Sequence, residues 1–144
     1  MSFIVVIHTR TLRRAAAVAV FAMTAAAAAG GENKVTLSGS EETPPVTTTA
    51  TGAGVITVKD DKTVSGSVKV KGIAVTAAHI HAGAPGQSGP PVVTLAKTSD
   101  DTWSVPADST LTDEQYASYK AGNLYINVHT AENKKGELRG QLKP

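Results

Sequence analysis

The feature that most constrains this chain is a strict two-residue alternation that begins at Gly54. Gly54, Ile56 and Val58 alternate with Val55, Thr57 and Lys59. After Asp60-Asp61-Lys62, Val64, Gly66, Val68 and Val70 alternate with Ser65, Ser67, Lys69 and Lys71. Side chains at i and i+2 share one face of a strand, so this pattern predicts a β-hairpin with one apolar and one polar face. The apolar face must be covered by another layer. Further short strands are expected at Val35–Leu37, Val75–His81, Val92–Ala96, Thr102–Val105, Leu124–His129 and Glu137–Leu142. Gly, Pro and Asp clusters separate them, which points to an all-β sandwich or barrel. Pro44 and Pro45 forbid a helix over Thr43–Thr51, a stretch expected to be extended.

One segment departs from the β pattern. Thr112-Asp113-Glu114-Gln115 has the form of a capping box, and Gly122 is a suitable stop. One short helix is therefore expected near 112–120.

Residues 1–29 read as a secretory signal peptide. Arg10, Arg13 and Arg14 form a basic start, followed by an uncharged run from Ala15 to Ala29. That run falls short of the ~20 apolar residues a membrane-spanning helix needs. The mature protein, residues 30–144, is then expected to be periplasmic or secreted, with no membrane span. From Gly30 onward 11 Lys and Arg stand against 12 Asp and Glu, so no basic surface for nucleic acid is expected. The chain has no cysteine, which excludes disulfides, thiolate metal sites and a cysteine nucleophile. It also lacks a G-x-S-x-G motif and EF-hand spacing; Asp100, Asp101 and Asp108 are too scattered for a calcium site. The only aromatic residues after Gly30 are Trp103, Tyr116, Tyr119 and Tyr125, so the core must be mostly aliphatic. Trp103 is read as a core or loop anchor, and Glu41-Glu42 as a solvated turn.

Three histidines remain. His79 and His81 lie two apart and so face the same way, opposite Ala78, Ile80 and Ala82. His129 follows Leu124, Ile126 and Val128 out of phase, sharing its face with Tyr125 and Asn127. All three are placed on the outer face of their strands. They are either independent solvated side chains or a metal site, and imidazole suits zinc and copper alike.

Four blocks carry a family resemblance: Leu37–Val46 (LSGSEETPPV), Ala77–Pro90 (AAHIHAGAPGQSGP), Gly122–Thr130 (GNLYINVHT) and Gly136–Leu142 (GELRGQL). Together they closely resemble the chordin-type CHRD domain, found in animal chordins and exported bacterial proteins. More distantly, His79-Ile80-His81 and Ile126–His129 resemble the copper-binding strands of copper–zinc superoxide dismutases. The resemblance implies an immunoglobulin-like Greek-key sandwich or barrel, with copper held on its outer face by His79, His81 and His129. The dismutases' bridging histidine is missing, since the corresponding stretch reads Ser88-Gly89-Pro90-Pro91. Their zinc ligands and cysteines are also absent, so a zinc-assisted mechanism is excluded and copper is expected over zinc. By the same resemblance Arg139 is a candidate to steer anions toward the metal; the alternative is an exposed arginine paired with Glu137 or another carboxylate. Three functions follow: a mononuclear copper-binding protein, a metal-free extracellular interaction module, and a copper-only dismutase. The first is favoured, and an enzyme is the less expected outcome.

Overall fold

The computed structural model describes residues 30–144; the signal peptide expected over 1–29 lies outside the described residues. Nine strands and one α-helix follow in chain order among them: β1 (Gly30–Leu37), β2 (Thr51–Lys59), β3 (Val64–Lys71), β4 (Val75–Ala82), β5 (Pro91–Thr94), β6 (Ala96–Lys97), β7 (Thr102–Ser104), α1 (Asp113–Lys120), β8 (Leu124–Thr130) and β9 (Leu138–Gln141). A 3-10 turn at Gly39–Glu41 follows β1. The strands form two antiparallel sheets, ordered β1-β2-β3-β7-β6 and β5-β4-β8-β9.

The expected hairpin is β2–β3, with Val58 opposite Val64 at its closed end. Its apolar face supplies Ile56, Val58, Val64, Val68 and Val70 to the core. Ala78, Ile80, Leu124, Ile126, Val128 and Leu138 meet them from the second sheet. Both sheets thus bury one face, and the all-β sandwich predicted from the alternation is what forms.

Two differences from the sequence reading have local causes. The strand expected over Val92–Ala96 breaks at Leu95, which is buried and donates its N–H to the Ala78 carbonyl (2.9 Å). The chain thereby passes from the second sheet (β5) to the first (β6). At the other edge, Ser38 and Arg139 exchange both backbone hydrogen bonds (3.0 Å each), so β1 is joined to β9 across the sheets. The sandwich is therefore stitched along both sides. Strand β1 also begins earlier than expected, because Asn33 alternates inward with Val35 and Leu37. Its amide nitrogen donates to the Ile56 carbonyl (3.2 Å) and the Tyr119 hydroxyl (2.8 Å), while its Oδ1 has no hydrogen-bond partner among the described residues.

Helix α1 carries the capping box the sequence announces. Thr112 Oγ1 accepts from the Gln115 N–H (3.2 Å), and Gln115 Oε1 accepts from the Thr112 N–H (2.9 Å). Thr112→Ala is expected to cost about 1 kcal/mol in denaturant unfolding, while Thr112→Ser stays near the parent. Equal losses in the two variants would show that the hydroxyl does not carry the cap.

Candidate metal centre

Strands β4 and β8 pair antiparallel with His81 opposite Tyr125, His79 opposite Asn127 and Ala77 opposite His129. Inward residues fill the core, so the outer face of this pair carries His79, His81, Tyr125, Asn127 and His129. The small Ala77 across from His129 leaves its ring room to lean toward His79. The three rings converge, with centroids 5.0 Å apart for His79–His129, 5.5 Å for His79–His81 and 5.9 Å for His81–His129. One nitrogen from each lies within 4.8 Å of the others. Two imidazoles on a tetrahedral metal at ~2.0–2.1 Å stand ~3.3 Å apart, and His79 Nδ1 and His129 Nε2 lie 3.1 Å apart.

Hydrogen bonds identify the free nitrogens. The Gly89 carbonyl lies 2.8 Å from His81 Nδ1, and the Lys134 carbonyl lies 2.9 Å from His129 Nδ1. A carbonyl only accepts, so both Nδ1 atoms carry the proton and both Nε2 atoms carry the lone pair. His129 Nε2 faces His79 Nδ1 at 3.1 Å. His81 Nε2 is buried and has no hydrogen-bond partner among the described residues. The nitrogens that converge are Nδ1 of His79 and Nε2 of His81 and of His129; His79 Nδ1 donates to the His129 lone pair, so His79 joins a metal only once that proton has moved to its Nε2. Burial first, then the charges of the other two histidines, holds the pKa of His79 below the usual value. Burial, His129 and Arg139 do the same for His81, partly offset by its bond to Gly89. Both stay in the neutral, metal-binding form further into acid than a free imidazole.

The surroundings correct two readings of the sequence. Arg139 lies on the outer face as its phase requires, yet it is only 2% exposed. The loop over 83–90 covers it, and its guanidinium donates to the carbonyls of Gln87 (2.8 Å) and Ala84 (2.9 Å) and to Gln141 Oε1 (3.1 Å). It is neither exposed nor paired with Glu137, and a group so enclosed presents no open face to anions in solvent. Glu42, read as part of a solvated turn, is buried. The 3-10 turn folds it inward, where Asn127 donates to its Oε1. Burial raises its pKa, against the opposing pull of Asn127 and Arg139. Sequence phase places Tyr125 and Asn127 on this face, but the carbonyls of Gly89 and Lys134 come from loops and have no side-chain signature.

Glu137 holds the other loop. It is buried and accepts from Thr130 (2.7 Å), Thr48 (2.8 Å) and Asn133 (3.1 Å). The Thr130 bond foremost keeps its pKa below the usual carboxylate value. A carboxyl whose folded pKa is lowered stabilises the fold above its unfolded pKa, and that contribution is lost as pH falls through the folded value. Glu137→Gln is therefore expected to be less stable than the parent at pH 7, with the gap closing as pH drops below about 4. A gap independent of pH would contradict this account.

An all-β sandwich with a histidine cluster on the outside of one sheet is the class that fold and site define. A family model of the CHRD domain matches residues 34–142, and the chain belongs to that family. No curated protein and no solved structure matches it. Among the described residues no helix is long and apolar enough to cross a membrane.

Proposed function

We propose that this CHRD-domain protein is an exported, periplasmic or secreted copper-binding protein that holds one ion at His79, His81 and His129. Membership of the family supports an extracellular-type module. The observation that carries the metal reading is His81 Nε2, a buried lone pair without a partner, aimed into a cluster of two more imidazole nitrogens. Leaving a buried acceptor unsatisfied costs ~1–3 kcal/mol, and a metal ion removes that cost. Copper is favoured over zinc because divalent copper heads the affinity order for nitrogen donors. Copper would bring one-electron redox chemistry to the site. The protein's own part is to hold three neutral donors in place. The histidine cluster includes no second acid or base, which favours copper storage or delivery over dismutase catalysis.

The test is elemental mass spectrometry of untagged protein exported to the periplasm. Near one copper per chain after dialysis is the expected result. Zinc in its place would overturn the choice of metal. Metal-free protein that also ignores added copper would leave the interaction module as the better reading.

A further inference from the structure

His81 owes its free Nε2 to a loop and not to the sheet. A neutral imidazole exchanges freely between two tautomers unless one ring nitrogen is given a fixed partner. For His81 that partner is the Gly89 carbonyl, so the loop over 83–90 must keep Gly89 in place. The loop begins with a turn at Ala84-Pro85-Gly86-Gln87, closed by the Gln87 N–H on the Ala84 carbonyl (2.9 Å). Pro85 and Gly86 (φ 77°) are the residues such a turn requires. Beyond it, Gly89 packs so tightly on Ala82 that a Cβ would fall 1.6 Å from the Ala82 carbonyl oxygen.

The geometry points to Arg139 as the positioning residue for His81, acting through this loop. Its forked guanidinium grips the carbonyls at both ends of the turn, those of Ala84 and Gln87. It also lies over the Tyr125 ring, with Cζ 3.6 Å from the centroid. Tyr125 in turn stacks on His81 (5.1 Å, 17°) and accepts the Gly89 N–H at its hydroxyl (3.1 Å). Arg139 thus fixes Gly89 twice, through the turn and through the tyrosine. The root of the side chain is held as well, because the Arg139 backbone is bonded to Ser38. The residue the family resemblance offered as an anion guide instead sets which nitrogen His81 presents.

The tautomer can be read in metal-free protein, so this inference rests on the copper reading only for its affinity arm. Long-range proton–nitrogen correlation of the ring nitrogens in 15N-labelled protein should show His81 protonated at Nδ1 alone. In Arg139→Gln and Arg139→Lys the His81 signals should move to the averaged shifts of mixed tautomers, with faster exchange of the Gly89 amide. His129 is the internal control, since its carbonyl partner comes from another loop and its tautomer should stay fixed. Lysine keeps the charge but loses the fork, so it tests the geometry even if the glutamine variant folds poorly. In the affinity arm, copper(II) should bind Arg139→Lys about 10-fold more weakly than the parent. A folded Arg139→Lys whose His81 keeps the single Nδ1–H tautomer overturns the inference. A parent that binds no copper would end the copper reading and leave the tautomer result to decide this one.

Discussion

His81→Ala is expected to lose copper almost completely, with affinity down by more than about 100-fold, the upper end for removing an outer partner of a metal ligand. The reason is geometric. His81 brings the one nitrogen of the three that has no other partner, so its removal leaves only the hydrogen-bonded pair His79–His129. His129→Ala should do the same. Lys134→Ala provides the control, because it deletes a side chain while keeping the carbonyl that orients His129. Copper titration with competing chelators measures all three variants, and metal-free melting checks that each is folded. Parent-like affinity in His81→Ala would remove the three-histidine site.

Ile126→Ala is expected to be the most damaging simple truncation for the fold. Ile126 lies at the middle of β8, paired to Ile80 on one side and Gly140 on the other, and it is fully buried. Removing its side chain from a packed interior costs about 2–5 kcal/mol through lost transfer energy and a residual cavity. For a domain of this size that is a drop of about 8–20 °C in melting temperature. Ile126→Val should lose only about 0.5–1.5 kcal/mol. Thermal unfolding with circular dichroism separates the two, and similar midpoints for alanine and valine would show that the strand centre is loosely packed. Because β8 also carries His129, the alanine variant should weaken copper binding only as far as it unfolds.

What could be read from the sequence was whatever obeys a period. The β2–β3 hairpin, the in-and-out phase of β4 and β8 and the helix cap are local patterns, and local stereochemistry decides them. The outward placement of His79, His81 and His129 followed from the same phase. Their convergence did not, because the pairing of β4 with β8 is a long-range event that no spacing encodes; it came from a family resemblance. Asn33 and Glu42 were read as surface residues or passed over because polar side chains normally face water. Each is buried beside a specific partner, Tyr119 or Asn127, from a distant part of the chain. Arg139 shows the same limit. Its face was legible, but the loop that covers that face was not, since Gly, Pro and Ser declare a turn without saying where it will lie.

The stitch between Ser38 and Arg139 has a mechanical consequence. Tension applied through the C-terminal end would peel β9 away first, a strand of only four residues (Leu138–Gln141) with β8 on one flank and that stitch on the other. Peeling it carries off the arginine that straps the turn over 84–87, so the clasp over His81 opens while β4 and β8, which hold all three histidines, are still paired. A pull too weak to unfold the sandwich would thus be enough to free the His81 ring from its Gly89 partner.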